Sequence, residues 1–182
     1  KIISKNKSIP LNLEIAANKK ILSIALRNKP NFVCLVPENR KEITTEGGLN
    51  IKKYKYNIKK IVSILNKNKI RTSLFINPNL KDIKLAKEIN TKCIEIHTGK
   101  ISRQIKSKKN YFNELKKIQK CSQFANSVGI EVHAGHGMDY KTTKILSKIS
   151  EIKEFNIGHF IVGESIFYGL NKVIKKFKKI SK

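Results

Sequence analysis

The 182-residue sequence has no tryptophan, one methionine, three cysteines and four prolines. Cys34, Cys93 and Cys121 are odd in number, lie far apart and each sit in an apolar run. That excludes a disulfide framework and a paired metal-ligand spacing, and the three read as buried thiols of a reducing compartment. No uninterrupted apolar stretch approaches the roughly 18 to 20 residues of a membrane span, and the first residues lead into no hydrophobic signal core. The expectation is a cytoplasmic chain with one folded domain over residues 1–182. Acidic residues are also scarce, 13 against 39 Lys and Arg, for a formal net charge of +26.

Such a charge ordinarily points to a nucleic-acid partner, because clustered cations neutralise phosphates and release counterions. The detail points elsewhere. Only four of the cations are arginine, and Lys, Ile and Asn together make up 82 of the 182 positions. That is a bias of the whole chain, of the kind an AT-rich coding sequence produces. Lysine falls on nearly every amphipathic segment instead of forming one stripe. The basic runs lack interleaved aromatics, and no Cys/His zinc spacing accompanies them. Nucleic-acid binding therefore stands as the weaker alternative.

What the sequence does contain is a regular alternation. Strand-length apolar runs fall at residues 11–16, 32–36, 72–76, 93–97, 130–134 and 155–157, separated by segments of helical period. Ile51, Tyr54, Ile58, Ile61 and Leu65 share one helical face, as do Tyr111, Leu115, Ile118, Ala125 and Val128. Ile166, Leu170, Val173, Phe177 and Ile180 predict one continuous last helix. Strand, helix, strand, repeated, implies parallel β/α units with right-handed crossovers. No GxGxxG opens a helix, so a doubly wound sheet is less favoured than a (β/α)8 TIM barrel of which this chain holds about six units.

The polar chemistry recurs at or just past the strand ends: Glu14, Pro37 and Glu38, Asn77, Glu95 and His97, Gly135 to Gly137, Gly158 and His159. In a β/α barrel those positions share one mouth. Glu14 alternates with Leu11, Leu13 and Ile15 and so faces the other way, into a barrel interior where an idle buried carboxylate is costly. His136 stands between two glycines, where a packing role is least expected. Glu95 is open to either a site role or a simple pairing with lysine. Asn77 and Glu38 read as groups that satisfy local backbone, and His97 and His133 as neighbours of the site.

Particular stretches are more specific than this pattern. LNLEIA (residues 11–16), LVPENRKEITTEGGLN (35–50), RTSLFINPN (71–79), IEIHTGK (94–100), EVHAGHGMDY (131–140) and FNIGHFIVGESIFYGL (155–170) resemble, in order, the pyridoxine 5′-phosphate synthase family. The resemblance implies a TIM-barrel enzyme of vitamin B6 biosynthesis. It would condense 3-amino-2-oxopropyl phosphate with 1-deoxy-D-xylulose 5-phosphate to pyridoxine 5′-phosphate, phosphate and water, without metal or organic cofactor. It implies Glu14 as proton acceptor, His136 as proton donor and Glu95 as stabiliser of transition-state charge. Gly137, Gly158 and His159 would hold the amino-ketone phosphate and Thr44 the deoxyxylulose phosphate. Homo-oligomers, octamers built from dimers, are also implied. His133 departs from the family pattern, which has asparagine there.

The resemblance further implies about sixty residues ahead of LNLEIA, carrying two β/α units with N-x-D-H and H-L-R-E-D type elements. The present sequence opens at the third strand, matching the two units missing from the strand count. Two expectations stand side by side: a synthase completed by those units, or an inactive remnant with an open barrel.

Overall fold

The computed structural model describes residues 8–37 and 47–181. Six strands form one parallel sheet in chain order: β1 (Asn12–Ala16), β2 (Phe32–Val36), β3 (Arg71–Ile76), β4 (Cys93–His97), β5 (Glu131–Gly135) and β6 (Ile152–Asn156). Between and after them run α1 (Lys19–Asn28), α2 (Ile51–Lys67), α3 (Leu80–Ile89), α4 (Gly99–Lys106), α5 (Phe112–Ser127), α6 (Tyr140–Leu146), α7 (His159–Tyr168) and α8 (Leu170–Ile180). The register carries Glu14 opposite Cys34, Cys34 opposite Ser73, and Ser73 opposite Cys93. Among the described residues no pairing joins β6 back to β1.

The asparagine-rich composition is put to local use. Asn18, Asn50 and Asn79 accept hydrogen bonds from Ile21, Lys53 and Lys81 at the starts of α1, α2 and α3, and Asp139 does the same for Thr142 at α6. A side-chain oxygen here satisfies an N–H that has no partner within the helix, worth about 1 kcal/mol each. Asn90 closes α3 in the left-handed conformation with φ 64°, which asparagine tolerates better than most residues.

Alternation along the strands divides the molecule into two environments. Leu35, Leu74, Ile94 and Ile96 point outward and are fully buried against Ile58, Ile61, Leu65, Ile83, Ile101 and Ile118 of the helices. Each such side chain contributes roughly 1.5–3 kcal/mol on leaving water. The other face is polar. Glu95 on β4 touches Cys34 on β2 and Asn156 on β6, strands that lie two places away on either side. In a flat sheet those strands would stand nearly 10 Å off. One short carboxylate bridges both ways because the sheet curls about it, the concave interior of a barrel.

Three expectations of sequence periodicity are corrected. The last helix is two, broken at Gly169 with φ 78° and ψ 141°. Ile166 therefore lies on α7, 79% exposed, while Val173 and Phe177 carry the buried face of α8. Tyr54 is half-exposed because its φ/ψ of −109°/17° kinks α2 and turns it off the face of Ile58 and Ile61. The sixth strand is Ile152–Asn156, not 155–157. It holds Lys153 and Glu154 at the sheet edge, so a search for apolar runs begins it too late. The three cysteines are free and buried as expected.

Candidate active site

Glu14, Glu95, His136, Gly137, Gly158 and His159 line one cavity of about 760 Å³ at the carboxyl ends of the strands. They come from β1, β4, the β5–α6 turn and the start of α7, four separate β/α units. Thr44 lies outside the described residues, as does Glu38.

Glu95 is the buried member, 4% exposed. Its Oε2 accepts a 2.7 Å hydrogen bond from the Asn156 amide and a 3.6 Å contact from the Cys34 thiol. Burial pushes its pKa up to about 7, against the pull of the Asn156 amide. Among the described residues no lysine pairs with it, and its partners there are an amide and a thiol. A carboxyl poised near neutrality can both give and take a proton. The same environment, with Glu95 beside it, raises the Cys34 thiol well above its usual range, so Cys34 acts as a donor and not as a thiolate.

Glu14 points into the interior as its alternation requires, yet it is exposed. β1 is the edge of the described sheet, with nothing paired on its far side. A solvated carboxylate with Glu95 across the cavity leaves two acids in different environments, one wet and one dry. Such a difference lets two like groups take different protonation roles.

His136 is held on a strained turn. Its φ of 78° is left-handed, and Gly137 follows at φ 73°. For a residue with a β-carbon that conformation costs of order 1–3 kcal/mol and must be imposed by surroundings. The surroundings are visible: the buried Thr98 hydroxyl donates to the carbonyls of Gly135 and His136, both at 2.8 Å, and Lys106 Nζ donates to the Gly137 carbonyl at 3.0 Å. Burial, then the cations Arg103 and Lys106, hold the His136 pKa below the ordinary imidazole value, while Glu14 acts in the other direction. IEIHTGK and AGHG are therefore one device, the first motif clamping the second.

Across the cavity, Gly158 caps the N-terminus of α7 with no side-chain hydrogen bond. The first-turn N–H groups stay free of a capping side chain, and with the helix dipole they favour an anion. Among the described residues a β-carbon at Gly158 would meet nothing within 4 Å, so their packing does not require the glycine.

At the opposite end of the interior, Arg71 bonds Glu131 at 2.5 Å, Glu131 meets His133 Nε2 at 2.7 Å, and His133 Nδ1 lies 3.6 Å from Glu154. Cys93 brings its sulfur within 4.8 Å of the Glu131 and His133 donor atoms. The Arg71 guanidinium already neutralises Glu131, and burial lifts the Cys93 thiol far from ionisation, so the cluster is a polar network built on one ion pair in the barrel floor. His133 belongs to this floor, away from the cavity. Asn77 is structural as expected, accepting the Gly48 N–H at 3.2 Å.

Sequence reasoning overlooked Asn156, Cys34 and Asn12. A signal existed for two of them: Asn12 is two residues before Glu14, and Asn156 is the first residue of NIGH. Cys34 had none, because it sits inside an apolar run, away from any strand-end motif.

Strand order, curl and a carboxylate–histidine cavity at the carboxyl ends of the strands define a β/α-barrel protein of the TIM class. The fold alone is also shared with a xylose isomerase domain protein from Planctomyces limnophilus, with a TM-score of 0.55 at 12% identity over 95% of this chain and 71% of that one. Sequence comparison is more specific. The family model described as "Pyridoxal phosphate biosynthesis protein PdxJ" matches residues 1–182, and the chain belongs to that family. It is similar to the pyridoxine 5′-phosphate synthase of Pelagibacter ubique, 64% identical over 179 residues, covering 98% of this chain and 75% of the relative. The Zymomonas mobilis synthase is 44% identical over 176 residues, 97% of this chain and 68% of the relative. Among the described residues no helix is long and apolar enough to cross a membrane.

Proposed function

We propose that this chain serves pyridoxine 5′-phosphate synthesis, joining 3-amino-2-oxopropyl phosphate to 1-deoxy-D-xylulose 5-phosphate with loss of phosphate and water. The observation that carries the reading is the convergence of Glu14, Glu95 and His136 on one cavity whose other wall is the open N-terminus of α7. Family membership and the synthase relatives support the same reaction.

The chemistry demands carbonyl–amine condensation, eliminations and ring closure, each needing a proton moved at a defined atom. Glu14, solvated, takes protons from the condensing partners. His136, whose imidazole loses its proton more readily than usual, delivers one to a leaving oxygen and is recharged from the open side of the cavity. Glu95 sits in the dry wall and answers charge that builds on the substrate, by ionising or by holding its proton. Gly137, Gly158 and the backbone of His159 receive a phosphate, the helix dipole of α7 supplying the attraction. Thr44 would add a hydroxyl contact to the second phosphate.

The partners in this reading are small phosphorylated compounds and further copies of the chain. The uncovered apolar residues Val162, Ile166 and Phe167 of α7 give self-association a surface. A cytoplasmic location is supported by the three unpaired, buried thiols. The test is product formation: the protein containing this chain, given both substrates, should release inorganic phosphate and form pyridoxine 5′-phosphate, and absence of both would end the reading.

A further inference from the structure

His97 closes β4 two residues after Glu95 and shares its interior face. It is 4% exposed, and its Nε2 is buried without a hydrogen-bond partner. An aliphatic side chain would fill a buried site without an unmet polar atom, whose cost is about 1–3 kcal/mol. What the imidazole does instead is pack against another. Its ring centroid lies 4.9 Å from that of His136, with planes at 31°, and the edge of Phe75 closes the other side at 5.3 Å and 82°. Phe75 also reaches His136, at 6.2 Å.

The space for this stack is made by a missing side chain. A β-carbon on Gly99 would stand 2.9 Å from Cε1 and Nε2 of His97 and 3.0 Å from Cδ2 of His136, so both rings lie against the bare first residue of α4. Gly99 has no positive φ to explain it; the two imidazoles do. We infer that His97 is a positioning residue for His136: its ring, seated over Gly99 and braced by Phe75, fixes the direction in which the strained His136 imidazole faces the cavity.

The stack also leaves one titration where two could compete. Burial, and then His136, lower His97 to about 4, with Glu114 from α5 acting the other way. His97 is therefore uncharged at neutral pH. The groups acting on His136 are Arg103 and Lys106 of α4 and Glu14 of β1. A neutral ring packed on it limits its access to water without adding charge.

This inference rests on the proton-donor reading of His136, and the experiment separates the two. In the whole protein, ¹H–¹⁵N NMR titration of His136 is followed in His97→Ala, His97→Phe and Gly99→Ala, with kcat and KM for synthase turnover. The expected result in His97→Ala is a His136 pKa that rises toward the ordinary imidazole value and a kcat at least tenfold lower, with KM changed less than threefold. His97→Phe restores the ring, and with it the pKa and most of kcat. Gly99→Ala, which alters no titrating group, reproduces the His97→Ala shift by pushing both rings aside. An unmoved His136 titration in both alanine variants overturns the inference, as does a His97→Phe variant as impaired as His97→Ala. Should His97→Ala not fold, the Gly99→Ala titration decides alone. If His136→Asn leaves turnover intact while these titrations still move, the proton-donor reading fails and the positioning of the ring stands.

Discussion

The Oε1 atom of Glu95 occupies the space that a β-carbon on Gly135 would need, 2.0 Å from where that carbon would stand. The glycine of the AGHG motif, on β5, is thus the seat of a carboxyl carried by β4. A motif that reads as one turn is half of a contact between two strands.

Gly135→Ala should therefore displace Glu95 and cost about 1–3 kcal/mol of stability, the usual penalty for forcing atoms into a filled interior. Urea denaturation measures it. In a Glu95→Ala background the same change should cost much less, because the atom it strikes is gone; equal costs in both backgrounds would mean that Glu95 is not seated there.

Glu95 should make the fold pH-dependent in a defined direction. Its folded pKa of about 7 lies above the 4.5 of an ordinary glutamate, so the folded chain holds a proton that the unfolded chain releases between those values. Stability from this group is present below pH 4.5 and is lost as pH rises to 7. Glu95→Gln keeps the hydrogen bond from Asn156 and removes the titration. It should be more stable than the parent by about 3 kcal/mol at pH 8, with little difference at pH 4.5. Denaturation at the two pH values tests this, and no gain at pH 8 would place the carboxyl in a wetter environment than described.

The phosphate seat can be tested without touching the acid–base groups. Gly158 has open space around it, so Gly158→Asp should fold normally while putting a negative charge at the N-terminus of α7. Inorganic phosphate binding, followed by calorimetry, should weaken at least tenfold with the thermal midpoint nearly unchanged. Undiminished binding would move the anion site elsewhere.

The Thr98 clamp gives a further measurement. Thr98→Val keeps the shape of the side chain and removes the hydroxyl that holds the Gly135 and His136 carbonyls. A loss of about 1–2 kcal/mol is expected, together with faster amide exchange at residues 135–137; unchanged exchange would mean the left-handed turn is held by something else.

Much of this architecture was legible in the residues, and the parts that were not share a cause. β2 and β4 were readable end for end because they are short, strand-length segments buried on both faces of the sheet. β6 was misplaced because Lys153 and Glu154 interrupt it at the sheet edge, and the final helix was read as one because apolar spacing continues across Gly169 while the backbone does not. Glu14 facing the interior followed from strand alternation, and Glu95 and His136 were placed by their positions at strand ends and by the family motifs. What alternation cannot give is which interior residue meets which. Cys34 with Glu95, Asn156 with Glu95, and His97 with His136 are pairings across strands, set by the curl of the sheet and the room left by Gly99 and Gly135. A local pattern carries no record of them until the strands are side by side.

The most direct test of the account is turnover of both substrates by the whole protein carrying Glu14→Gln or His136→Asn, with circular dichroism to establish that each variant is folded. The account predicts a fall in kcat of about 10²- to 10⁴-fold in each, with inorganic phosphate still bound at the start of α7. Parental turnover in either folded variant would contradict the assignment of proton transfer to this cavity.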